Sequence, residues 1–263
     1  MKDVNILIDN GANVKKALEL FGDMETYDQT LEVFLNEVTG KLEKIKSFKS
    51  IGDMANYAIL VHSLKSDAKY FGFEKLAEIA YDHELKSKAN DMYYVTEHFD
   101  ELMNEATRVV NLVKKYMGVG GYIEDDAKRE NGKITKSSNV ILVVDDSNII
   151  CNFIGKILGD SFDVVALEDG KKAIDYLSDE EKKKSLKAVL LDLNMPDVNG
   201  FEVLDFYKKS DLFKVIPISI ITGVSDKESI EKAFKYPIVD ILLKPFNERD
   251  VKRILEKTIN SKI

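Results

Sequence analysis

Short apolar runs and long apolar stripes divide the chain into two halves of different character. In residues 139–263 the runs VILVVDD (140–146), FDVVALE (162–168), AVLLD (188–192), PISIIT (217–222) and IVDILLK (238–244) are rich in Val, Ile and Leu. They lack the strict alternation of a half-buried strand, which is the pattern of strands covered on both faces of a parallel sheet. Between them apolar residues recur at helical spacing. Ile150, Phe153, Ile154, Ile157 and Leu158 form one stripe, and others follow at 169–178, 199–209, 226–235 and 247–260. Strand alternating with helix predicts an α/β doubly wound five-stranded parallel sheet.

Residues 1–117 contain no proline and carry longer stripes. One comprises Leu31, Phe34, Leu35, Val38, Leu42 and Ile45. A second has Ile59, Leu64, Ala68 and Phe71, and a third has Phe73, Leu76, Ala77, Ile79 and Ala80. The fourth runs from Phe99 through Leu102, Ala106 and Val109 to Val113. Four amphipathic helices with short connections predict an all-α antiparallel four-helix bundle. Its breaks fall at Gly52–Asp53, Gly72 and Asn90–Asp91, with 10–23 as a further short helix. The organisation expected is therefore a bundle at 1–117, a flexible linker at 118–138 and the sheet domain at 139–263. The linker, GVGGYIEDDAKRENGKITKSS, has four glycines and mixed charge. A coil of that length spans roughly 25 Å, enough for contact between the two domains of one chain at an effective concentration on the order of millimolar.

Composition narrows the possibilities. The net charge is −8, with 15 basic and 20 acidic residues in 1–117, so neither half reads as a nucleic-acid binder. No apolar stretch approaches the roughly 20 residues of a membrane span, and MKDVNILIDNG lacks a signal-peptide core, which leads us to expect a cytoplasmic protein. Cys151 is the only cysteine. It reads as a small packing residue.

The sheet half concentrates chemistry at the carboxyl ends of its strands, where open α/β sheets bind ligands. Asp145, Asp146, Asp192, Thr222 and Lys244 all lie there. Three converging carboxylates repel unless a cation joins them, and Mg²⁺ suits a site offering a few carboxylate oxygens. Asp192 is the candidate nucleophile for an aspartyl phosphate. Lys244 would neutralise phosphoryl oxygens and the Thr222 hydroxyl would donate to one of them. Asp146 or Ser147 alone could equally be a helix cap.

The segments VVDDSN, LLDLNMPDVNG, SIITG and LLKPF resemble those of a response-regulator receiver domain, with its flavodoxin-like fold, over residues 139–263. The resemblance implies that Asp145 and Asp146 are the acidic pair at the metal and that Asp192 takes the phosphoryl group. It implies further that Asn194 offers its backbone carbonyl to the metal, that Thr222 and Lys244 read the phosphate, and that Pro245 is cis. Three residues before Lys244, where many receivers carry an aromatic switch residue, this chain has Ile241.

In the helical half, His62 lies off the stripe of Ile59, Leu64, Ala68 and Phe71. That predicts an exposed imidazole beside Ser66 and Lys69, a plausible phosphoryl carrier. The segment resembles the histidine-containing phosphotransfer domain, whose pattern is met by His62, Leu64, Lys65, Gly72 and Leu76, with Ser66 replacing the usual glycine. The resemblance covers 1–117. His83 and His98 match no position of it and read as ordinary helix residues. Together the two resemblances imply an intermediate in a two-component phosphorelay. Its partners would be a sensor histidine kinase, another receiver, or both, because neither half shows a Gly-rich ATP loop. On the first helix of the sheet half Ile149 is expected to lie off the core stripe, as part of an apolar docking patch. Two other classes remain: a binding module in which the bundle only docks or dimerises, and an aspartyl-phosphate phosphatase, which disagrees with Asn194 two residues after Asp192.

Overall fold

The structure is a computed structural model that describes residues 2–118, 139–223 and 227–261. The chain divides into two compact units, Met1–Ala127 and Lys128–Ile263. The expected linker, apart from Gly118, lies outside the described residues.

The first unit is helical, with seven helices among its described residues: α1 (Asn5–Ile8), α2 (Val14–Phe21), α3 (Met24–Ile51), α4 (Met54–Tyr70), α5 (Glu74–Lys88), α6 (Met92–Glu97) and α7 (Phe99–Met117). Short polar side chains start several of them, although α5 and α7 begin without a side-chain cap. Asp23, Asp53 and Asp91 each accept a hydrogen bond from the backbone N–H three residues on, satisfying a donor the helix leaves open. Gly52 ends α3 in the left-handed conformation. The sequence gives no warning of α6 or of the division of the leading segment into α1 and α2. α2 starts at the Asn13 cap and α6 at the Asp91 cap, and α6 gives way to α7 at His98.

Helix α3 packs on α4, α4 on α5, α5 on α7 and α7 on α3. The expected stripe of α3 is buried throughout. Burying each such Leu, Ile or Phe is worth about 1.5–3 kcal/mol. Helix α4 also meets α2, so it is covered on more than one side. Between Tyr57 and Tyr70 only Ile59 and Lys69 escape full burial. Gly72, between α4 and α5, has φ +75°, and a Cβ there would lie 2.4 Å from the Asn13 carbonyl oxygen. The start of α2 is seated on that turn by the Asn13 N–H, which donates to the Gly72 carbonyl at 2.8 Å.

The second unit has strands β1 (Val140–Val144), β2 (Asp163–Leu167), β3 (Leu186–Asp192), β4 (Ile218–Gly223) and β5 (Ile241–Lys244). Helices α8 (Asn148–Leu158), α9 (Gly170–Ser178), α10 (Glu180–Lys183), α11 (Gly200–Lys209), α12 (Lys227–Ala233) and α13 (Glu248–Ile259) connect and follow them, with a 3-10 turn at Leu212–Lys214. The sheet is parallel in the order β2-β1-β3-β4-β5, as expected for a doubly wound fold. β1 is buried throughout, whereas β2 at the edge is half-buried, because only one neighbour covers it. Several boundaries differ from expectation: β1 ends at Val144 rather than 146, β3 begins at Leu186 rather than 188 and β5 at Ile241 rather than 238. The sequence pattern also lacks the short α10.

The expectation for Ile149 fails. The residue is 1 % exposed, because α8 packs against β1, β2 and α13. It therefore offers no apolar docking patch.

Candidate functional site

Strand register assembles the first polar cluster. Val144 pairs with Leu191, so Asp145 emerges beside Asp192; Asp192 pairs with Ile221, and Gly223 with Lys244. The carboxylates of Asp145, Asp146 and Asp192 each offer an oxygen within 4.8 Å of the others. Asp145 and Asp192 are buried and Asp146 half-buried. Lys244 Nζ donates to Asp192 Oδ2 at 2.7 Å and lies 2.7 Å from Asp145 Oδ2. Beyond this ion pair, Asp145 Oδ2 has no partner among the described residues. Asp192 Oδ1 accepts the Asn194 N–H at 3.2 Å, and Asp145 Oδ1 accepts the Ser147 N–H at 3.0 Å. Ser147, rather than Asp146, caps α8.

Burial pushes the Asp145 carboxyl up to about 8, with Asp192 and Asp146 adding to the effect and Lys244 opposing it. Burial would lower the Lys244 ammonium, but the three carboxylates outweigh it and hold it well above its ordinary value. The site thus carries more negative than positive charge in a dry setting, a donor set of hard oxygens that fits a small divalent cation. Thr222, one residue beyond the partner of Asp192, is fully buried, and its hydroxyl has no partner among the described residues. The Lys244–Pro245 peptide is cis. Gly200 closes the cluster from behind, since a Cβ on it would lie 2.3 Å from the Asp192 carbonyl oxygen. Ile241 is half-buried on β5.

The second cluster lies between α4 and α5. His62 is not exposed, as its off-stripe position predicts, but 3 % exposed, because α5 covers the face of α4 that periodicity leaves polar. Its Nδ1 donates to Glu84 Oε1 at 2.7 Å. Lys65 Nζ donates to Glu84 Oε2 at 2.5 Å, and Lys88 Nζ to Glu84 Oε1 at 2.8 Å. Ser66 is buried beside them and Lys69 is exposed, so only Lys65 of the three neighbours joins the cluster.

Burial would raise the Glu84 carboxyl, but the hydrogen bonds and charges of His62 and Lys65 overcome it and hold the group well below the usual carboxylate range. An ionised carboxylate only accepts, so the proton resides on Nδ1 and the lone pair of a neutral ring on Nε2. Nε2 has no partner among the described residues. Glu84 and Lys88 were missed from sequence. They sit 22 and 26 positions beyond His62, and only α4–α5 packing brings them to it.

His83 is structural in its surroundings. It is fully buried, with Nδ1 2.7 Å from the Tyr57 hydroxyl and Nε2 3.2 Å from the His98 carbonyl oxygen. Cys151 is buried, and burial pushes its thiol up, which agrees with a packing role. No described helix is long and apolar enough to cross a membrane.

Comparison with known proteins bears on the second unit. Residues 141–256 match the response regulator receiver domain. The probable methanogenesis regulatory protein FilR2 of Methanothrix harundinacea is 35 % identical over 123 residues, which cover 45 % of this chain and 79 % of that protein. The two-component response regulator ORR5 of Oryza sativa is 32 % identical over 120 residues, covering 45 % of this chain and 87 % of that one. Against ORR1 of the same plant, at 29 % identity, the chain spans 52 % of the relative's length. With its receiver match over 141–256 and relatives at 35 % and 32 % identity covered over 79 % and 87 % of their length, the chain belongs to the response regulator receiver family.

Proposed function

We propose that the chain is a phosphorelay intermediate with two phosphoryl stations, Asp192 in a receiver domain at 139–263 and His62 in a histidine phosphotransfer bundle at 1–117. The observation that carries the reading is the Asp192 carboxylate at the end of β3, clustered with Asp145 and Asp146 and paired with Lys244 at 2.7 Å. An Asp192 oxygen attacks phosphorus, the new O–P bond forms, and the N–P bond to a donor imidazole breaks, its electron pair returning to nitrogen. Lys244 neutralises the phosphoryl oxygens and the buried Thr222 hydroxyl donates to one of them. Asp145, Asp146, Asp192 and the Asn194 carbonyl would hold Mg²⁺, which when bound supplies further positive charge against the phosphoryl group.

The closed ring of contacts α3–α4–α5–α7 supports the four-helix bundle reading. For the second station, the Nδ1–Glu84 bond leaves Nε2 as the nucleophilic nitrogen. Its burial requires that the ring be uncovered when a donor docks. Phosphohistidine and aspartyl phosphate are both high-energy, so transfer runs in either direction once donor and acceptor are aligned. The partners fitting this chemistry are a sensor histidine kinase, another receiver, or both.

The burial of His62 favours a second reading, in which the bundle docks or dimerises and carries no phosphate. Both are tested by incubating the chain with a phosphorylated receiver or kinase and Mg²⁺, then comparing wild type, Asp192→Asn and His62→Gln. The relay predicts a base-labile label lost with Asp192→Asn and a base-stable, acid-labile label lost with His62→Gln. Label on Asp192 alone supports the binding module, and label on neither residue sinks both readings.

A further inference from the structure

The cations around Glu84 are not equivalent. Lys65 and Lys88 both donate to its carboxylate, but the Lys65 side chain is 2 % exposed and the Lys88 side chain 45 %. Lys65 is held deep between α4 and α5, where burial already lowers its ammonium and Glu84 opposes that shift. Moving it would strand a charge in a dry interior. Lys88 is the last residue of α5, and its contact is an (i, i+4) pair open to water, of the kind that contributes little and exchanges readily. When it leaves, Glu84 keeps His62 on Oε1 and Lys65 on Oε2, so no buried charge is left without a partner.

The oxygen that Lys88 holds is the one that accepts His62 Nδ1. The ammonium is therefore parked one carboxylate oxygen from the ring, on a flexible stem reaching solvent. Nε2 on the same ring has no partner among the described residues. We propose that Lys88 is the mobile cation of the His62 site: it rests on Glu84 in the free form and turns to the phosphoryl oxygens once Nε2 carries the group.

This rests on the reading of His62 as a phosphoryl station. In the bond-forming step the Nε2 lone pair forms the N–P bond while the donor's bond to phosphorus breaks and its leaving group departs with the electron pair. The Nδ1 proton stays with the ring, facing Glu84. The ring gains positive charge and the site gains a dianionic group, and Lys88 meets the second change without disturbing the first.

The test uses the full chain carrying Asp192→Asn, so that only histidine retains phosphate, with potassium phosphoramidate as donor; nitrogen leaves as ammonia after protonation. Lifetime and occupancy of phospho-His62 are followed by ³¹P NMR and gel mobility, with His62→Gln as control. Lys88→Met is expected to shorten the lifetime or lower the occupancy on the order of fivefold, the scale of a partly exposed charged contact, and Lys88→Arg to restore most of it. Thermal unfolding of all Lys88 variants should match the parent. Equal lifetimes and occupancies in Lys88→Met and the parent overturn the proposal, as does a loss that Lys88→Arg fails to restore. Absence of any His62 label in the parent, with phosphoramidate and with a phosphorylated receiver and Mg²⁺ alike, instead removes the phosphoryl station itself, and this inference with it.

Discussion

The two units bury charge in opposite arrangements. In the sheet unit one lysine, Lys244, lies between the carboxylates of Asp145 and Asp192. In the helical unit one carboxylate, Glu84, lies among His62, Lys65 and Lys88. A buried ion is tolerable only with a partner and its hydrogen bonds in place, and both clusters obey that rule with the signs exchanged. Each also keeps a buried polar atom outside the pairing, Thr222 Oγ1 in one and His62 Nε2 in the other. The sheet gathers its cluster from the ends of β1, β3 and β5, whereas the helical unit gathers its own from one side of α4 and one side of α5. The first is fixed by backbone register. The second depends on how two helices settle against each other.

The largest test of this symmetry is Lys244→Met, which leaves Asp145 and Asp192 buried without their cation. With a chelator present it should lower the unfolding free energy of the sheet unit by about 4 kcal/mol, within the range for breaking a buried ion pair. A loss below about 1 kcal/mol in urea titration would mean that water already screens the cluster. Glu84→Gln is the mirror experiment and should cost about 3 kcal/mol. The smaller figure reflects that the amide oxygen left by Glu84→Gln still accepts the His62 Nδ1–H, whereas methionine offers Asp145 and Asp192 nothing.

Gly72→Ala probes the packing that builds the helical cluster. The added Cβ would meet the Asn13 carbonyl at a left-handed backbone position, and the expected loss is about 2 kcal/mol. Calorimetry showing an unchanged Tm would mean that the α2 start moves freely.

A smaller effect distinguishes the units by pH. All three histidines lie in the helical unit. Burial lowers His83, so the folded unit resists a proton that the unfolded chain binds near pH 6.5. Stability from this source is complete above about pH 6.5 and is lost as pH falls toward the lower folded value. The urea midpoint of the helical unit should therefore drop between pH 7 and 5.5, and the drop should shrink in His83→Gln. The smallest effect is at Tyr207, whose buried hydroxyl has no partner among the described residues. Tyr207→Phe should leave stability within about 1 kcal/mol of the parent or raise it. A larger loss by thermal melting would show that the hydroxyl is bonded after all.

Much of the sheet unit was legible because parallel strands announce themselves twice, by continuous apolar runs and by polar residues at their ends. Asp145, Asp192, Thr222 and Lys244 were each identifiable in that way, and the structure brings Asp145, Asp192 and Lys244 into contact. Ile149 misleads because the stripe on α8 marks a single face, whereas β1, β2 and α13 together cover more than one. His62 misleads for the same reason. A helical stripe predicts which residues face one neighbour, and α4 has three, in α2, α3 and α5. Glu84 and Lys88 carried no signal at all, since acidic and basic residues on a helix ordinarily mark a solvated face.

By itself the sequence determined what strand, helix and cap chemistry encode locally: five strands in order, helices with their polar starts, and acidic and basic residues placed at strand ends. Only the tertiary structure decided that Lys244 sits between two aspartates, that His62 is buried against Glu84, and that Lys65 and Lys88 share that carboxylate from different depths. The reason is that the period of a stripe fixes one direction around a helix axis. The number of neighbours that cover the helix is set by packing between segments far apart in the chain.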